Sequence, residues 1–130
     1  MPALNFKAQF ADNVAFGIKR QTVRAHRKDG RPHAKPGDTI KLYTGMRTKA
    51  CRLLAEATVT SLRPVRIEAC KMFIGGNRLP SVIYDRNCEQ TDNEFAEADG
   101  FSGFTEMAEW FQDAHGLPFE GIVICWNEPR

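Results

Sequence analysis

No apolar run in this 130-residue chain approaches the roughly 18 residues of a membrane span. The longest strong one, Ile122-Val123-Ile124-Cys125-Trp126, is strand-sized. Lys7 near the start has no hydrophobic stretch behind it, so a secretory leader is not expected and the cytoplasm is the expected compartment. The four cysteines (Cys51, Cys70, Cys88, Cys125) form no C-x-x-C pair, and His26, His33 and His115 are scattered. Structural zinc takes closely spaced ligand pairs, so no metal or other cofactor is expected, and the thiols read as reduced and partly buried. There is no internal repeat, low-complexity tract or linker. The expectation is one domain over residues 1–130, large enough to bury roughly two thirds of its unfolded surface.

Charge is present but unevenly spread. The net charge is only +2, yet residues 1–49 carry 11 Lys/Arg against 3 Asp/Glu, whereas residues 91–130 carry 1 against 9. The segment values are +8 for residues 1–49, +2 for 50–90 and −8 for 91–130. Such asymmetry suggests a basic face for a polyanion, unless the two ends neutralise each other. The loop from His26 to Lys35 is polar, positive and free of aromatics, which suits phosphate contact better than base stacking.

Periodicity supplies the elements. Leu4-Asn5-Phe6 alternates as a first strand. Phe10, Val14 and Ile18 share helical spacing, with Asp12 or Asn13 as cap, Gly17 as the left-handed stop and Ile18 folding back as its apolar follower. Thr22-Val23-Arg24 reads as extended, with Val23 toward the core and Thr22 and Arg24 on the other side. After the Pro36-Gly37-Asp38 turn, Thr39 to Tyr43 alternates with Ile40 and Leu42 inward. Leu54 to Ser61 is a further strand, which Val65 and Ile67 extend beyond Pro64. Gly75-Gly76-Asn77 between Met72-Phe73-Ile74 and Leu79–Tyr84 signals a hairpin. Residues 85–95 carry no clear signal. Ser102 is placed to cap a helix to about His115 with Phe104, Met107, Ala108 and Phe111 as its stripe, stopped by Gly116. Phe119 to Trp126 reads as a central strand buried on both faces. Too few helices are present to cover two sheet faces, so the expected class is α+β: a small β-barrel or curled mixed sheet with two or three flanking helices.

The densest chemistry lies in Gly17-Ile18-Lys19-Arg20-Gln21-Thr22-Val23-Arg24. A threonine hydroxyl is a poor nucleophile until a base takes its proton, and a lysine serves as that base only when neutral. Lys19 and Thr22 are thus a candidate base and nucleophile. Arg24 carries a planar fork suited to a phosphate or a developing oxyanion, and Arg20 is a second candidate for phosphate. Tyr43 and Phe101 are candidate base-stacking residues.

The spacing Gly17-x-Lys19-x-x-Thr22-x-Arg24, with Pro36-Gly37-Asp38 opening a strand and Asp99-Gly100-Phe101-Ser102 opening a helix, resembles the ASCH domain (activating signal cointegrator homology) of the PUA-like superfamily. The resemblance runs over nearly the whole chain and is greatest to small stand-alone phage and bacterial members, down to the ending Leu117-Pro118-Phe119-Glu120-Gly121. It implies a PUA-like β-barrel with a cleft for RNA, a nucleotide or a modified base. In a stand-alone bacterial member that is an N4-acetylcytidine amidohydrolase, a lysine, a threonine and a glutamate act together; the first two fall on Lys19 and Thr22. The glutamate falls on Asp99, one methylene shorter, with Glu97 as the alternative carboxylate. Either would orient Lys19 or hold a substrate hydroxyl or amino group, although a carboxylate close to the amine opposes its role as base. Against that compact enzyme the hairpin-containing segment at about 70–95 is longer, an insertion that implies a different pocket rim. Other ASCH proteins are ribonucleases. The resemblance therefore implies either amide hydrolysis of an N4-acylated cytidine or cleavage of single-stranded RNA. A module that binds RNA or a modified nucleotide without chemistry is the alternative, and a protein-interaction domain docking through its acidic C-terminal part is a third reading.

Overall fold

The computed structural model describes residues 3–26, 33–79 and 90–127. In chain order these form β1 (Ala3–Phe6), α1 (Ala8–Ala15), β2 (Gln21–Ala25), β3 (Thr39–Thr44), β4 (Arg52–Ile67), β5 (Met72–Ile74), β6 (Asn77–Arg78), α2 (Asp92–Ala98), α3 (Phe104–Ala114) and β7 (Phe119–Trp126). The class is α+β. The seven strands make one mixed sheet in the order β1-β3-β4-β5-β6, with β7 paired to β2 and β4, and among the described residues this path does not close on itself. Packing divides the chain into two compact units: residues 1–22, 27–62 and 124–130, and residues 23–26 and 63–123. No described helix is long and apolar enough to cross a membrane.

In the first unit, β1 pairs parallel with β3 (Leu4 opposite Leu42, Phe6 opposite Thr44). The antiparallel neighbour β4 sets Ile40 opposite Ala57 and Leu42 opposite Ala55, with a bulge between Leu42 and Tyr43. Alternation puts Leu4, Phe6, Ile40, Leu42, Ala57 and Val59 inside, and α1 adds Phe10 and Val14. Asp12 and Asn13 lie inside α1, whose N-cap is Lys7 without a side-chain cap bond. The earlier start follows the burial of Phe10, Ala11 and Val14, which fills one face of a two-turn helix. The expected turn at Pro36-Gly37-Asp38 is pinned to β4, since Gly37 N donates to Val59 O (2.8 Å) and Val59 N to Asp38 O (2.9 Å).

Helix α1 ends in a Schellman turn: Gly17, at φ 76°, donates to Val14 O (3.2 Å), and Ile18 N donates to Asn13 O (2.9 Å). The apolar follower does not fold back, however. Ile18 is 68% exposed and Phe16 77%. The residue it would pack on, three from the helix end, is the polar Asn13, which offers no apolar contact.

In the second unit, β4 continues through Pro64, and Val65 and Ile67 pair opposite Ile74 and Met72. The β5–β6 hairpin turns on Gly75 and Gly76, both at positive φ (58° and 85°), as a tight two-residue loop requires. Its return strand is only Asn77–Arg78; residues 80–84 of the expected strand lie outside the described residues. Helix α2 is an element the sequence did not announce. It opens on a capping box, with Glu94 N donating to Thr91 Oγ1 (3.1 Å) and Thr91 N to Glu94 Oε1 (3.2 Å). Helix α3 buries Phe104, Met107, Ala108 and Phe111 as its spacing dictates. Its cap differs from expectation: Phe104 N donates to Asn93 Oδ1 of α2 (2.9 Å), while Ser102 Oγ donates to the Glu106 carboxylate.

Candidate functional site

Polar side chains leave water only against a cost of several kcal/mol unless partners replace it. Among the described residues six polar or charged side chains are buried, and three of them, Lys19, Gln21 and Thr22, fall within four consecutive positions. These lead into and begin β2, in the first unit. Helix α1 delivers them: after the Schellman turn, Lys19 N donates to Asn13 O (2.9 Å), and the chain turns inward so that Lys19 is only 2% exposed. Lysine is almost never so buried. Its Nζ lies 5.2 Å from the centroid of the Phe10 ring and 5.9 Å from that of Phe6, cation–π distances. Thr22 is 5% exposed, so β2 is buried on both faces here and not on the Val23 side alone.

The end of β7 completes this surrounding. Trp126 N donates to Arg20 O (3.0 Å), and its indole meets Phe6 edge-on at 6.0 Å. The Trp126 indole Nε1 is buried without a hydrogen-bond acceptor. Such a donor is normally satisfied. Sequence reasoning missed Phe6, Phe10, Gln21 and Trp126, because aromatics and strand residues read as packing until their neighbours are known. Tyr43 is half-buried on β3. Arg20 is exposed, and its Nε donates to Gly17 O (2.9 Å).

The second unit joins two further predicted residues. Arg24, on β2, is half-buried. Burial lowers the pKa of its guanidinium, and the negative charge of Asp99 works against that shift. Asp99 is the C-cap of α2, is 4% exposed and donates its own N–H to Phe95 O (3.1 Å) and Ala96 O (3.2 Å). A carboxylate at the negative end of a helix and out of water is doubly disfavoured. The positive charge of Arg24 acts against this cost. Gly100 and Phe101 close α2 with a second Schellman turn, Gly100 N donating to Glu97 O (3.0 Å) and Phe101 N to Ala96 O (2.9 Å). Here the follower does pack: Phe101 is buried, its ring 5.9 Å from that of Trp110. Glu97 is exposed on α2.

The described residues hold no cluster of three or more His, Cys, Asp or Glu side chains able to bind a metal ion. Cys51 and Cys70 are exposed free thiols and Cys125 is a half-buried one. A groove of about 370 Å³ in the second unit, lined by Pro64, Val65, Arg66, Phe73 and Gly121 among others, includes none of the predicted residues. Its Arg66 is already engaged by Glu120 (2.6 Å) and Glu68 (3.0 Å). Compared with protein-family models, with curated proteins and with solved structures, the chain matches none.

Proposed function

We propose that the chain is an ASCH-type protein that acts on RNA or nucleosides as a hydrolase, with Lys19 as base and Thr22 as nucleophile. The single observation that carries the reading is the burial of Lys19, Gln21 and Thr22 at the start of β2, with the Lys19 amine held against Phe6 and Phe10. A lysine accepts a proton only from its neutral state, and removal from water is what favours that state. The hydroxyl three residues on would then give its proton to that amine as it attacks an amide carbonyl or a phosphorus centre; the displaced amine or alkoxide leaves with the proton, and water cleaves the resulting ester to free Thr22. On this proposal the mixed sheet is the curled sheet of a PUA-like barrel, and within the second unit the charge of Arg24 supports the buried Asp99 carboxylate. The ligand is RNA or a nucleoside, and the compartment is the cytoplasm.

A binding module without turnover is favoured by one specific observation. The ring faces of Phe6 and Phe10 stabilise an ammonium, and a charged Lys19 is a donor to phosphate or base oxygens, not a base. The test is to incubate the protein with N4-acetylcytidine and with labelled single-stranded RNA, beside Lys19→Met and Thr22→Ala. Turnover of either substrate, lost in both variants, is the expected result. Binding without turnover leaves the module, and neither binding nor turnover removes both readings.

A further inference from the structure

Two large apolar side chains stand in water at the end of α1: Phe16 (77% exposed) and Ile18 (68% exposed). They flank Gly17 and immediately precede the buried Lys19. Their backbone is not loose. Phe16 N donates to Asp12 O (2.9 Å), Gly17 N to Val14 O, Ile18 N and Lys19 N both to Asn13 O (2.9 Å each). The turn is therefore a rigid knuckle that presents an aromatic face outward. The equivalent follower at the end of α2, Phe101, is buried, so the exposure at Ile18 is a property of this turn and not of the motif.

Beside the knuckle, Arg20 is braced by its Nε–Gly17 O bond (2.9 Å), which leaves the terminal nitrogens of an exposed fork for an anion. Among the carbonyls at this helix C-terminus, those of Asp12, Asn13 and Val14 are engaged by the turn and that of Gly17 by Arg20. The surrounding sequence is basic, with residues 1–49 at +8, and α1 carries one carboxylate, Asp12. An aromatic face next to a guanidinium on a basic segment is the composition that holds a single strand, by stacking a base and pairing a phosphate.

We propose that the turn closing α1 is a contact for single-stranded RNA, with a base stacked on Phe16 against the Ile18 side chain and its phosphate on Arg20. This rests on the reading of Lys19 and Thr22 as an RNA- or nucleoside-directed site, and adds to it a contact for the strand that carries the reacting nucleotide.

The test measures binding of a fluorescein-labelled 12-nucleotide single-stranded RNA by anisotropy at several salt concentrations, for the wild type, Phe16→Ala and Arg20→Gln, with N4-acetylcytidine turnover measured alongside. Phe16→Ala should weaken binding about tenfold or more, the effect of losing one base–aromatic stack. Arg20→Gln should reduce the slope of log affinity against log salt by about 0.7, one phosphate contact to a single strand. Loss of RNA affinity in Phe16→Ala with turnover of the free nucleoside intact supports the contact and the hydrolase together. The same loss with no turnover in the wild type supports the contact while the hydrolase reading fails. RNA affinity unchanged in Phe16→Ala overturns the contact, whatever the turnover. So does a change of oligomeric state in that variant without loss of RNA binding, which would make the knuckle a protein interface. Because Phe16 is exposed, the variant should retain the wild-type unfolding transition.

Discussion

Gly121→Ala should be among the most damaging single-methyl changes in this chain. A Cβ built on Gly121 would stand 2.2 Å from the Arg24 carbonyl oxygen and 2.9 Å from two atoms of the Phe119 ring. Carbon–oxygen contacts settle at about 3.3 Å or more, so the backbone of β2 would have to retreat by about 1 Å. The ring can rotate, but the carbonyl belongs to the strand. Overpacking of a well-filled site costs about 1–3 kcal/mol, and an unyielding backbone puts this case at the upper end, about 3 kcal/mol. For a domain of this size each kcal/mol is worth roughly 3–5 °C in Tm. The variant should therefore melt about 10 °C or more below the wild type in a thermal scan followed by circular dichroism, with a matching drop in urea midpoint. Since the retreating carbonyl is that of Arg24, the same shift should move its guanidinium relative to Asp99, and displacements of this size are enough to cost about a hundredfold in rate where geometry governs chemistry. A Gly121→Ala protein with wild-type Tm would refute the close approach of β7 to β2 on which this reasoning stands.

Three further outcomes follow from the geometry. Arg24→Met alone should destabilise by about 2–4 kcal/mol in urea titration by removing a positive charge that acts on the buried Asp99 carboxylate, whereas Arg24→Met combined with Asp99→Asn should recover most of that loss; equal losses in single and double variants would mean that the two do not interact. Asn93→Ala removes the cap of α3 and should cost about 1 kcal/mol, while Ser102→Ala, outside that cap, should leave the Tm within about 2 °C. Gly17→Ala forces a Cβ into the left-handed region at φ 76° and should cost about 1 kcal/mol; on the proposed function it should also weaken RNA or nucleoside binding, because Lys19 leaves this turn.

The elements with several periods of pattern were legible. Ile40 and Leu42 on β3, the Phe104–Phe111 stripe of α3 and the apolar run of β7 each sum enough side-chain burial to override local ambiguity. Helix α2 was not legible because seven residues bury only Asp92, Phe95 and Ala96, too few for a period to show. Its one signature was Thr91-x-x-Glu94, a capping box sitting in a polar stretch. The cap of α3 was misassigned to Ser102 since a local hydroxyl is the usual solution; the actual acceptor comes from Asn93, eleven residues back. Ile18 was expected to fold back because the motif normally supplies an apolar partner, and Asn13 does not. At the candidate site the residue types were readable and their burial was not. A lysine in an isolated sequence is a surface residue by default, and only the packing of Phe6, Phe10 and Lys19 shows otherwise.

The loan of an amide oxygen from α2 to the first turn of α3 carries a kinetic consequence. An N–H at a helix start ordinarily trades its proton with solvent almost as fast as a disordered chain does. That of Phe104 is held at 2.9 Å by the accepting Asn93 Oδ1, so it can exchange only when α2 also lets go. In deuterium uptake followed residue by residue, Phe104 should exchange in step with the amides of α2, as one cooperative opening.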